Sequence, residues 1–138
     1  MRYNQSAGDY LQSLANEAPA GMQIISRDLD VGDHVNRLHY GYQRFLLEAL
    51  DARMHAELYL PWEKVEKFEA LRVHLAVTHH WRIEDVQLMK EGELVELLRP
   101  ELMSLQLDPG DVQSILGMLG DLNVPMIRED LQARTLKS

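Results

Sequence analysis

Cysteine is missing from all 138 residues, which removes disulfide frameworks, thiolate zinc sites, iron–sulfur clusters and cysteine nucleophiles from consideration. It also makes the reducing cytoplasm the expected compartment. Basic residues are few: fourteen lysines and arginines face twenty-two acids, a formal charge of −8. Affinity for a phosphate backbone comes from lysine and arginine that release counterions, so a chain with this balance and no basic cluster is not expected to bind nucleic acid. Long apolar runs are lacking too. No stretch approaches the roughly 18 uninterrupted apolar residues of a membrane span, and "MRYNQSAGDYLQSLANEAPAG" at the start carries no apolar signal core. A soluble protein is expected. There is no phosphate-cradling loop, because "GMLGDL" has neither the lysine nor the preceding strand. No serine stands in a nucleophile-elbow context.

What is present is helical periodicity. Val35, Leu38, Tyr42, Phe45, Ala49, Ala52, Ala56 and Tyr59 recur in alternating steps of three and four, which predicts one long amphipathic helix over about 33–60, with Asp33 as N-cap and Pro61 closing it. Pro61 can also open the next helix, where its missing N–H is no loss. The run "PWEKVEKFEALRVHLAV" has no breaker, yet Leu71, Val73, Leu75 and Val77 alternate like a strand, so 71–78 is open between helix and strand. Beyond it, "THHWRIEDVQLMKEGELVELLRPEL" predicts two short helices broken at Gly92 and stopped near Pro100. In "LDPGDVQSILGMLG" Asp108 is the N-cap and Pro109 the first helical residue, and Pro125 starts a last helix. A first helix is predicted near Gly8 to Glu17. The length suits one core, so the expectation is a single all-α, bundle-like domain, 1–138, of five to seven helices.

Three of the six histidines lie in Arg72–Trp81, "RVHLAVTHHW". Helical metal ligands share a face only at spacings of three or four, and no two of His34, His39, His55, His74, His79 and His80 have that spacing. His74 and His79 point about 140° apart on a helix. His80 with Glu84, and Asp51 with His55, are i, i+4 pairs that read as local acid–histidine contacts. No metal or cofactor is expected. Val73, Leu75, Val77 and Trp81 are expected inward, with the histidines at the rim or at a subunit contact.

Arg72 and His79 return to within about 20° of one helix face. An arginine and a histidine so spaced in a small helical domain resemble the Arg-x4–6-His element of HEPN-type ribonucleases. That resemblance implies a phosphate-steadying Arg72 and an acid–base His79, though Val73 replaces the polar residue that usually follows the arginine. The main expectation is different. It is a cytoplasmic helical protein, without catalytic activity, that acts on another protein as regulator, inhibitor or adaptor. Its homodimer contact centres on Tyr42, Phe45 and Leu46, and Glu84 and Asp85 steer it toward a basic surface on the partner.

Overall fold

A computed structural model of the chain describes residues 6–17, 33–122 and 124–135. Among them are eight α-helices: α1 (Ala7–Asn16), α2 (Asp33–Leu58), α3 (Glu69–His79), α4 (Ile83–Val86), α5 (Glu91–Leu97), α6 (Arg99–Ser104), α7 (Pro109–Leu119) and α8 (Pro125–Arg134). The described residues hold no strand, only an isolated parallel bridge between Leu107 and Thr135. The protein is all-α, and 71–78 is helix. No helix among the described residues is long and apolar enough to cross a membrane.

The helix count exceeds the expected five to seven because 83–104 forms three helices rather than two. The break is not at Gly92, which lies in the first turn of α5. It precedes Glu91, because the Glu93 side chain accepts the Lys90 N–H at 3.0 Å and sets the helix start there. Pro100 does not stop a helix either. It sits in the first turn of α6, where no backbone donor is needed. The expected boundary at Asp108 is present: its carboxylate accepts the Gly110 N–H at 3.2 Å, with Pro109 first in α7. The N-cap of α2 lies outside the described residues.

The chain forms two compact units, one of residues 1–45 with 106–138 and one of residues 46–105. In the first, α1 packs against α7 and α7 against α8. Two glycines set how closely the backbones approach. A Cβ on Gly41 of α2 would fall 2.8 Å from the Ala15 nitrogen and 2.9 Å from the Leu11 oxygen of α1. A Cβ on Gly8 would fall 2.5 Å from the Ser114 carbonyl oxygen of α7. Two of the orphan donors at the start of α1 are used: Gly8 N–H donates to Ser114 Oγ at 2.9 Å and Asp9 N–H to Ser6 Oγ at 3.2 Å. Around these contacts Leu11, Leu14, Leu38, Ile115, Ile127 and Leu131 are buried, and Tyr10 meets Phe45 edge-on with ring centroids 6.5 Å apart.

α8 is tied to α2 by a polar contact. The Tyr42 hydroxyl donates to Asp130, whose carboxylate also accepts from Arg134 Nε at 2.5 Å. The Arg134 carbonyl in turn accepts the Leu107 N–H at 2.7 Å. Burial raises the Tyr42 phenol well above its ordinary value, with the hydrogen bond to Asp130 acting the same way.

In the second unit the later half of α2 buries Leu47, Leu50 and Met54. α3 packs on α4 and α5, and α5 on α6. Ala70, Leu71, Leu75 and Ala76 form the buried face of α3, joined in the core by Val86, Leu94, Leu98 and Leu102. Of the four residues expected inward around the histidines, only Leu75 is buried. Val73 is half-buried, while Val77 and Trp81 are exposed, because helical spacing keeps 71 and 75 on one face and carries 77 round to the other.

Gly41→Ala and Gly8→Ala are each expected to destabilise by about 1–3 kcal/mol, since a rigid backbone would have to give way. Gly117→Ala, with open space at its Cβ in mid-α7, should instead gain up to about 1 kcal/mol. Chemical denaturation of the three variants checks the contrast. A raised phenol makes Tyr42 a stabilising group below its unfolded value of 10.0, and this stability drains away as pH rises past it. Urea midpoints of the wild type should therefore fall above about pH 10, and fall less in Tyr42→Phe.

Candidate functional site

The chemistry-bearing side chains of the second unit cluster around α3, and the start of that helix decides their placement. The expected helix from Pro61 does not form: residues 61–67 are turns and irregular chain. Phe68 then adopts a left-handed conformation, φ 67°, before α3 begins, with no capping side chain of its own. A bulky residue there is held at a cost of about 1–3 kcal/mol. Asp51 of α2 supplies the missing cap, its carboxylate accepting the Phe68 N–H at 3.2 Å. Burial raises the Asp51 carboxyl above the usual carboxylate range, opposed by the backbone N–H groups of Phe68 and Leu71.

The loop before Phe68 is bonded near its start, at Leu60 and Glu63, and at its end, at Phe68. Glu63 accepts the Leu60 N–H at 2.6 Å, and its own carbonyl lies 3.1 Å from His55 Nε2. The His55 ring stacks on Tyr59 at 5.3 Å, and Lys67 reaches Glu48 at 3.3 Å. His55 thus answers to Tyr59 and Glu63; the acid beside it in the sequence pattern, Asp51, is spent on the cap. The Tyr59 phenol is raised, first by burial and then by Glu69, Glu63 and Asp51, which place negative charge around the loop base.

Arg72 and His79 are placed in different environments. The Arg72 guanidinium is spent on backbone carbonyls: Nη2 and Nε donate to the Met89 oxygen at 3.0 and 3.3 Å, and Nη1 to the Lys67 oxygen at 3.4 Å. It ties α3 to the turn before α5, and no phosphate is needed to occupy it. His79 is exposed and stacks on Trp81, ring centroids 4.5 Å apart and 22° between planes. His80 takes the left-handed position that ends α3, φ 58°, and Trp81 N–H closes the turn on the Ala76 oxygen at 3.0 Å. His74 does find an acid, but on another helix: Nε2 lies 2.7 Å from Glu101 Oε2 of α6. In the first unit His39 is buried with Nδ1 on the Val35 carbonyl at 3.0 Å. Among the described residues no group of three His, Cys, Asp or Glu side chains could hold a metal ion.

The expected interface residues separate into two kinds. Tyr42, Phe45 and Leu46 are buried within the single chain. Glu84 and Asp85 are exposed on α4, Asp85 in a solvent-facing pair with Arg82 at 3.5 Å. Near them stand large apolar side chains in water: Val77, Trp81, Ile83 and Leu88, the last 87% exposed. No pattern in the sequence pairs Asp51 with Phe68, Glu63 with Leu60 or Glu101 with His74. Their bonds span 3 to 27 residues, and periodicity reports only shared helix faces.

No protein-family model, curated protein or solved structure matches the chain.

Arg72→Ala should destabilise by about 1–3 kcal/mol, because the part-buried Met89 carbonyl and the Lys67 carbonyl lose a charged donor. His79→Ala should leave stability within about 0.5 kcal/mol of wild type, as for an exposed surface site. Thermal melts of both variants, beside a labelled-RNA cleavage assay expected to be blank for the wild type, check this assignment.

Proposed function

We propose that the chain acts in the cytoplasm by binding another protein, as a regulator, inhibitor or adaptor, and that it catalyses no reaction itself. The observation that carries this reading is the distribution of exposed apolar bulk. Of ten large apolar side chains exposed among the described residues, eight belong to 46–105, from Leu58 to Met103. Single exposed apolar residues are ordinary, but their concentration in one unit, interleaved with exposed Glu84, Asp85, Glu93 and Glu96, favours a protein-binding surface with an acidic rim. A charge of −8 steers such a surface toward a basic patch on its partner. The ribonuclease-like alternative loses support because the Arg72 guanidinium is already committed to the Met89 and Lys67 carbonyls.

The reading takes 1–138 as one bundle-like domain, supported by α2, which continues without interruption from the first unit into the second. A single unfolding transition is expected, with far-ultraviolet dichroism and tryptophan fluorescence superimposing; both tryptophans, 62 and 81, lie in the second unit. Displaced curves would point to separately folding units.

For binding, the protein is immobilised, its partner recovered and association followed by surface plasmon resonance. Replacing Glu84 and Asp85 by lysine should slow association about three- to tenfold at low salt, with a smaller change in dissociation. Raised salt should slow the wild type toward the variant. An RNA cleavage activity in the wild type, lost in His79→Ala without loss of fold, would replace this reading by the ribonuclease one.

A further inference from the structure

The loop between α2 and α3 combines two properties that pull against each other in a protein with no partner. Its apolar side chains stand in water, Trp62 at 74% and Leu60 at 52% exposure. Its backbone is nevertheless held: Leu60 N–H by Glu63, the Glu63 carbonyl by His55, Glu63 N–H by the Leu60 carbonyl at 2.9 Å, and Phe68 N–H by Asp51. None of these bonds uses Trp62, and none covers it. Ordering a loop is a principal cost of association, and these bonds meet part of it before any partner arrives. Tryptophan is also among the residues enriched as central anchors of interfaces.

We propose that residues 59–68 are a preorganised recognition loop that inserts Trp62, flanked by Leu60, into an apolar pocket with a cationic rim on the partner protein. The inference rests on the protein-binding reading above and names its anchor. A projecting indole requires a concave apolar receiver. The cationic rim follows from the charges beside it: Glu63, Glu66 and Glu69 stand against Lys64, since Lys67 is engaged by Glu48. The same acids oppose an anionic lipid surface, and a second copy of the chain would bring the same net charge of −8.

The test uses the full chain with Trp62→p-benzoylphenylalanine, a photocrosslinker, beside the same substitution at Leu88. Irradiation in lysate of the source cell should give one discrete adduct from position 62, mapped on the partner to apolar residues neighbouring lysine or arginine. Unlabelled wild type should compete for it. Trp62→Ala, which removes only an exposed side chain, should compete at least about thirtyfold less well, the loss expected of a central anchor. Glu63→Ala, which frees the loop but keeps Trp62, should compete about three- to tenfold less well, as ordering is then left to the binding event. Full competition by Trp62→Ala, an adduct only to a second copy of the chain, or an adduct to a flat polar surface overturns the proposal. So does a blue shift of Trp62 emission in Trp81→Phe protein on mixed phosphatidylcholine and phosphatidylglycerol vesicles. An adduct from position 88 but none from 62 sinks the anchor alone, whereas no protein adduct from either position sinks the binding reading with it.

Discussion

The second unit depends on the hydrogen bond from the Phe68 N–H to the Asp51 carboxylate. It joins α2 to the start of α3 across 17 residues and holds Phe68 in a left-handed conformation that a bulky side chain would otherwise avoid. With α3 starting at Glu69, the rotational phase of α3 is set. Leu71 and Leu75 then face the core, Arg72 reaches the Met89 carbonyl, His74 reaches Glu101, and Val77 is turned to water. An acid buried for this purpose carries a raised carboxyl as the electrostatic consequence of its position. The residues preceding it become a bonded loop instead of another helical turn.

The first unit is governed by steric closeness. Gly41 lets α2 lie against the backbone of Ala15 and Leu11, and Gly8 does the same for α1 against Ser114. With backbones this near, small side-chain changes have no slack to fall into, and the leucines and isoleucines around them pack tightly. Polar contacts act at the margin of that core: Tyr42, Asp130 and Arg134 join α2 to α8, and the Leu107–Thr135 bridge joins the chain before α7 to the chain after α8.

The ionisable groups that first attract attention are mostly absorbed by structure. Arg72 satisfies carbonyls, His74 meets a carboxylate on a neighbouring helix, His55 helps hold a loop, and His80 turns the chain at the end of α3. What remains unspent is apolar: Trp62, Val77, Trp81, Ile83 and Leu88, set among acids. These exposed apolar side chains are the observation on which the proposed binding function rests.

The sequence by itself determined the elements whose signals are local. The three-and-four spacing from Val35 onward marks α2, and Asp108 with Pro109 marks the start of α7, because periodicity and capping act within a turn or two of the residues that carry them. The all-helical class followed from the same short-range preferences, while at 71–78 the structure shows helix, in α3, packed on α4 and α5. Tertiary structure decided the rest. Tyr42, Phe45 and Leu46 read as the centre of a homodimer contact and are buried within the single chain, since an apolar stripe does not say whether its cover is this chain or another. Phe68 carries no sign of a left-handed turn, and Trp62 none of standing in water. Both depend on Asp51 and Glu63 meeting backbone donors after folding, and a bond of that kind is set by where the helices place the chain rather than by any spacing along it.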